Sequence, residues 1–230
     1  MPVEFLGIAA TNDGSETTPR SGVSFDKEYT LRLARAHEDH GWDRVLFAYG
    51  SGSPIPAAAA GYLAAKVGSL QILLAHRPNV SYPTYAARTF ATLDQISDGR
   101  LTVHFITGGS DHEQRREGDT LTKDERYART REYIRIVKKI WTTHEPFDHE
   151  GEHYRFHDFV ADVFPVQQYP QISFGDHGYF ANPDYFTIDD ATYDVIRDEV
   201  RRAFPEAEIA WKNDTRRQGI VDSWPEDVDD

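Results

Sequence analysis

Apolar runs and polar breaks alternate along the first two thirds of the chain, and their periods predict successive strand–loop–helix units. Leu70 to Ala75 is a continuous apolar run, the pattern of a strand covered on both faces. His76-Arg77-Pro78 ends it. From Pro83, a residue suited to the first turn of a helix, Ala86, Phe90 and Leu93 recur at i, i+4 and i+7 until Asp98-Gly99 breaks the pattern. Leu101 to Ile106 reads as the next strand and runs into Thr107-Gly108-Gly109-Ser110. A right-handed crossover makes these two strands parallel, so their polar C-terminal loops open on one side, the ligand side of parallel α/β folds.

Similar units precede this one. Val3 to Ala10 reads as a strand, followed by a long Ser/Thr/Pro/Gly-rich loop to Phe25. Asp26 caps a helix whose Tyr29, Leu33 and Ala36 share a face and which closes at Gly41. Arg44 to Tyr49 is a second strand, Gly50 to Pro54 a loop, and about Ala57 to Val67 an alanine-rich helix. Downstream, a charged loop is expected from Asp111 to Leu121. Thr122 and Glu125 then form a capping box for a helix striped by Tyr127, Thr130, Ile134, Val137 and Trp141. Pro146 to Phe156 reads as a β-hairpin, Phe159 to Pro170 as a loop, and Gln171 to Phe174 as a short strand ending at Gly175-Asp176. The expected class is α/β, with a parallel sheet or barrel.

Composition narrows the functions. Aromatic residues make up 13% of the 230, which argues for a packed core. With 25 Lys plus Arg against 38 Asp plus Glu, the formal charge of −13 repels phosphate backbones and anionic membranes, so neither nucleic acid nor membrane is an expected partner. The chain contains 0 cysteines, which removes disulfides, thiolate zinc sites and cysteine nucleophiles. The N-terminal MPVEFLGIAATNDG lacks a basic, then apolar, leader pattern, so a cytoplasmic location is expected.

Candidate chemistry sits mostly at strand ends. His149-Glu150-Gly151-Glu152-His153 fits H-E-x-x-H, which on a helix would present two zinc ligands and a glutamate base. Its central glycine and alternating flanks favour a hairpin instead, so no metal site is expected. Gly50-Ser51-Gly52-Ser53 could cradle a phosphate, although it lacks the lysine of a P-loop. His76-Arg77 could bind an anion, or Arg77 could simply pair with a carboxylate. Arg126 reads as a solvated ion-pair partner, Tyr127 as a packing residue, and His104 and Phe105 as core.

Several long motifs carry a resemblance. RP-x4-P-x2-AAR-x2-ATLD-x-IS-x-GR at Arg77 to Arg100, ITGGSD at Ile106 to Asp111, DERYART-x-EY at Asp124 to Tyr133 and EPFDHEGEHYRF at Glu145 to Phe156 closely resemble the bacterial luciferase-like, flavin-dependent monooxygenases, particularly the alkanesulfonate branch. The resemblance runs from residue 1 to about 175 and implies a partial TIM (β/α)8-type barrel. It implies cofactor-binding roles for Thr11, Ser53, His76, Thr107, Gly108 and Tyr127, with the catalytic residues unknown; Ser53 stands where alkanesulfonate enzymes often have cysteine. The implied chemistry is O2 activation by reduced FMN, supplied by a separate flavin reductase, on a sulfonate-like or other small organic substrate. A homo-oligomer is implied as well.

The chain also departs from that pattern. Where the family continues as YFGGSS, with serines at the flavin phosphate, this sequence has Ser173-Phe174-Gly175-Asp176, and the later family His and Arg positions have no counterpart. EVRRAFPEAEI at Glu199 to Ile209 and RRQGIVDSWPEDVDD at Arg216 to Asp230 resemble the C-terminus of short-chain NAD-dependent epimerases and threonine dehydrogenases. The expected organisation is a luciferase-like domain over 1–175, a junction over 176–188 and an appendage over 189–230. The alternative to an enzyme is an inactive barrel fragment without the flavin phosphate site.

Overall fold

A computed structural model of the chain describes residues 4–15, 18–108 and 110–175. The expected junction at 176–188, the appendage at 189–230 and Asp176 lie outside the described residues. Five parallel strands form one sheet in the order β1 (Leu6–Ile8), β2 (Arg44–Phe47), β3 (Gln71–His76), β4 (Leu101–Ile106) and β7 (Gln171–Gly175). Helices α1 (Lys27–Asp39), α2 (Pro56–Ala64) and α3 (Pro83–Ile96) link the first four strands. Between β4 and β7 come α4 (Asp111–Arg116), α5 (Lys123–Thr142) and a hairpin of β5 (Phe147–Glu150) and β6 (Arg155–Phe159). This is an α/β partial barrel.

Strand register sorts the side chains into two faces. Phe47, Leu74, Val103 and Ile172 lie side by side across four strands, as do Val45, Ile72 and Leu101 across three. These rows meet Ala60, Leu63, Ala87, Phe90, Tyr133 and Val137 in one buried cluster, which places the helical layer on this face. The opposite face carries the rows Leu46, Leu73, Thr102, Gln171 and Ala75, His104, Ser173. His104, expected as packing, is half-buried, with Nδ1 2.5 Å from the Ser173 hydroxyl.

Local signals explain the best-formed helices. Asp26 accepts from the backbone N–H groups of Glu28 and Tyr29, both at 3.0 Å, and so caps α1. The buried side chains of α1 are Thr30 and Ala34, so its inward face is turned from the expected Tyr29–Leu33–Ala36 stripe. Pro83 opens α3, and Ala86, Phe90 and Leu93 are all buried as expected. The Thr122–Glu125 capping box starts α5, which is joined to α3 by the Trp141 indole N–H donating to the Ala87 carbonyl at 2.9 Å.

The α5 stripe also differs from expectation. Thr130, Val137 and Trp141 are buried as expected, but Tyr127 and Ile134 are half-buried, whereas Arg126, Tyr133, Ile136 and Ile140 are buried. Arg126, expected in solvent, is 2% exposed; its guanidinium donates to the Leu121 carbonyl at 2.8 Å and pairs with Asp111 at 2.8 Å. Asp111 to Leu121 is likewise not all loop, because Ser110 caps α4 within it. The H-E-x-x-H stretch forms the expected hairpin. His149 accordingly lies on a strand, with its Nε2 2.9 Å from Glu132, rather than on a helix face with His153. Among the described residues, no helix is long and apolar enough to cross a membrane.

A candidate ligand site at the C-terminal rim of the sheet

Because all five strands run parallel, their C-terminal ends share one rim. Thr11 follows β1, Ser53 follows β2, His76 closes β3, and Thr107 and Gly108 follow β4. Thr11 and Ser53 line the same cleft, about 370 Å³ in volume, with Asn12, Phe47, Tyr49, Pro54 and Ala59. That volume falls within the usual range of small-molecule pockets, which runs from about 300 to 1,000 Å³. The Thr11 hydroxyl donates to the Ser24 carbonyl at 3.0 Å, and its own carbonyl accepts from the Asp26 N–H at 2.8 Å. The Asn12 amide also donates to Ser24, at 3.0 Å. Ser53 closes its turn by donating to the Gly50 carbonyl at 2.7 Å and accepting from the Gly50 N–H at 3.1 Å. The Thr11 hydroxyl accepts from the Asn12 amide at 3.4 Å, and each hydroxyl still has room for one more donor.

The wall at Tyr49 to Ser53 is held from α4. Glu113 accepts from the Ser51 N–H at 3.1 Å and from the Ser51 hydroxyl at 2.9 Å, and it pairs with Arg77 at 3.5 Å and Arg116 at 3.1 Å. Glu117 accepts from the Tyr49 hydroxyl and pairs with Arg77 at 3.2 Å. The Arg77 guanidinium lies 4.7 Å from the Tyr49 ring centroid, a cation–π arrangement. Its side chain is only 7% exposed, so this is a desolvated cation held between two carboxylates rather than a free anion receptor. The Ser51 N–H, then its hydroxyl, hold the Glu113 carboxyl below the usual carboxylate range, with Arg77 and Arg116 assisting. Burial, then the bond to Glu117, pushes the Tyr49 phenol well up, so it stays a donor.

The other expected residues do not line this cleft. His76 faces the helical layer, with ring centroids 4.9 Å from Phe90 and 6.0 Å from Phe105, and its Nε2 lies 2.8 Å from the Tyr133 hydroxyl. Burial pulls its pKa from 6.5 down to about 3, so the ring is neutral. Thr107 is buried just past β4. Gly108 has φ +84°, and a methyl added there would lie 1.9 Å from the Gln114 Nε2. Gln114 is itself 1% exposed, and neither of its amide atoms has a hydrogen-bond partner among the described residues. Tyr127 is half-buried on α5, with the Lys123 ammonium 6.0 Å from its ring centroid. Sequence reasoning missed Tyr49, Glu113, Gln114 and Glu117, and it read Ser51 as part of a phosphate cradle, whereas its N–H and hydroxyl both donate to Glu113. The one available signal was Arg77, a charge set directly after an apolar strand.

The chain shares its fold with solved oxygenases. Monooxygenase RslO1 from Streptomyces bottropensis is 24% identical with a TM-score of 0.62, the match covering 74% of this chain and 53% of that one. The oxygenating constituent of 3,6-diketocamphane monooxygenase from Pseudomonas putida, solved with FMN, is 20% identical with a TM-score of 0.59, over 76% of this chain and 51% of that one. EDTA monooxygenase from Chelativorans sp. BNC1 is 17% identical with a TM-score of 0.64, over 74% and 50%. The chain thus spans about half the length of each of these structures. The family model described as luciferase-like monooxygenase matches residues 4–179, most of the sequence, and the protein belongs to that family.

Proposed function

We propose that the rim cleft is the ring-binding part of a flavin pocket in an oxygenase acting on a small organic substrate. The observation that carries this reading is the cleft of about 370 Å³ at the C-terminal ends of β1 and β2, apolar at Ala9, Phe47 and Ala59 and bordered by Thr11, Asn12 and Ser53. A planar heteroaromatic ring with polar edges fits such a lining. Support for a flavin-type cofactor also comes from two solved relatives, one in complex with FMN and one an F420-dependent secondary alcohol dehydrogenase with an F420–acetone adduct.

Thr11 and Ser53 hold the ring edge, Thr107 and Gly108 border it from β4, and Tyr127 contributes from α5. His76 backs the β3 end with a neutral ring. Arg77 is committed to Glu113 and Glu117 and is not a partner for the flavin phosphate. When bound in reduced form, the flavin supplies the electrons that activate O2; the apolar wall orients the ring and excludes water. The resemblance to the alkanesulfonate branch favours reduced FMN from a separate reductase, a sulfonate-like substrate, a homo-oligomer and a cytoplasmic setting.

Titrating FMN with the purified chain tests this reading. Saturable quenching of flavin fluorescence is expected, weakened by Thr11→Val and Ser53→Ala. Absence of quenching up to about 100 μM protein, equivalent to binding weaker than roughly −5.5 kcal/mol, refutes it and leaves the inactive-fragment alternative. Saturation by F420 but not FMN would correct the cofactor alone.

A further inference from the structure

We infer that α4 is a clamp that sets the shape of the rim cleft, with Glu113 as the positioning residue for its wall. The inference rests on the reading of that cleft as a ligand pocket. Tyr49, Gly50 and Ser53 line the cleft, while Ser51 turns away to α4. A single carboxylate therefore fixes the backbone and the side chain of the residue between two lining positions. Both bonds are charge-assisted, at 3.1 and 2.9 Å, and so are stronger than neutral ones.

The clamp is closed from three further sides. Arg116 pairs with Glu113 at 3.1 Å and lies over Gly52, where an added methyl would sit 3.6 Å from its Nη2. Arg77, set directly after β3, bridges Glu113 and Glu117 and supports the Tyr49 ring. Glu117 receives the Tyr49 hydroxyl. The lining residues before and after Ser51 are thus held: Tyr49 by Glu117, and Gly50 and Ser53 by the turn they close with each other. Among the described residues the hydrogen bonds of the Glu113 carboxylate go to Ser51, Arg77 and Arg116, none of which lines the cleft. Its effect on a ligand is transmitted through Ser51.

The test uses the full chain and two measurements. In the ligand-free protein, Glu113→Ala is expected to speed hydrogen exchange at the Ser51 amide by about tenfold or more, the size expected for bonds to a charged acceptor. In the FMN titration the same variant is expected to weaken binding by about tenfold, with Glu113→Gln intermediate because its amide oxygen can keep one of the two bonds. Thr122→Ala, which removes the cap of α5, should lower the melting temperature and move neither readout. If Glu113→Ala does not fold, Ser51→Ala, which loses the hydroxyl bond alone, takes its place with a smaller loss of affinity. Unchanged Ser51 exchange in Glu113→Ala overturns the clamp, as does unchanged FMN affinity where the wild type binds FMN. If the wild type takes up no FMN, the flavin reading falls, and Ser51 exchange alone decides whether α4 holds the wall.

Discussion

Acidifying the protein from pH 7 to pH 5 should weaken the fold by about 2 kcal/mol through His76 alone. The ring is packed between Phe90, Phe105 and Tyr133, and burial lowers its pKa from 6.5 to about 3. In the unfolded chain the imidazole takes up a proton near its ordinary pKa, whereas in the folded chain it resists. The unfolded state therefore binds more protons, and stability is full above about pH 6.5 and falls as the pH drops toward 3. Glu38, Glu113, Asp119 and Glu132 all have pKa values held below their ordinary carboxylate range, so their contributions are lost only at lower pH. Those carboxylates therefore contribute little to the change between pH 6.5 and 5, and within that window the comparison of wild type with a His76 variant isolates this ring. Urea unfolding at pH 7, 6 and 5, followed by tryptophan fluorescence, should show the loss in the wild type and a flattened dependence in His76→Phe. His76→Gln, which can still accept from the Tyr133 hydroxyl, serves if the phenyl ring is not accommodated. An equal pH slope in wild type and variant would refute the buried, neutral histidine.

Two further predictions concern packing around the rim and the hairpin. Gly108→Ala should destabilise the fold by roughly 1–3 kcal/mol, since φ there is +84° and the methyl would collide with Gln114. Adding Gln114→Ala should recover the steric part and leave the backbone part, a coupling that urea unfolding of the double mutant measures; strict additivity would contradict the contact. Glu132→Ala should cost about 1–3 kcal/mol, because Glu132 accepts from His149 Nε2 at 2.9 Å and from the backbone N–H groups of His153 and Tyr154 at 2.9 and 3.0 Å. Faster amide exchange at His153 and Tyr154 is the expected signature, and exchange at the wild-type rate would show that the hairpin is anchored otherwise.

The elements that were legible in the sequence are those stabilised by their own residues. Pro83 and the Ala86–Phe90–Leu93 stripe define α3, Thr122 and Glu125 start α5, and the glycine within H-E-x-x-H marks a turn. The α4 segment carries no such signal. Its six residues, DHEQRR, hold no apolar stripe, and a helix that short has no stability of its own. It is ordered by the Ser110 cap and by ion pairs to Arg77 and Arg126 from other elements. Arg126 was misread for the same reason: charge alone suggests solvent, and only the Leu121 carbonyl and Asp111 show that its burial is compensated. At the site, the strand-end rule brought Thr11 and Ser53 to one cleft. The carboxylates that hold its wall lie 62 and 68 residues further along the chain, at a distance no local pattern reports.

That separation makes the α4 segment a unit of exchange. Replacing residues 49–53 with the corresponding loop of a relative, to reshape the cleft, would take the Ser51 and Tyr49 donors away from Glu113 and Glu117 and leave them only their arginine partners. Replacing 110–119 alone would strand the Arg77 guanidinium in a site that is 7% exposed, with no anion to meet it. A chimera that carries both stretches, together with the residue at position 77, transfers a complete wall. Designs that alter the cleft are therefore best drawn around these three stretches as one module, even though a third of the domain lies between them in sequence.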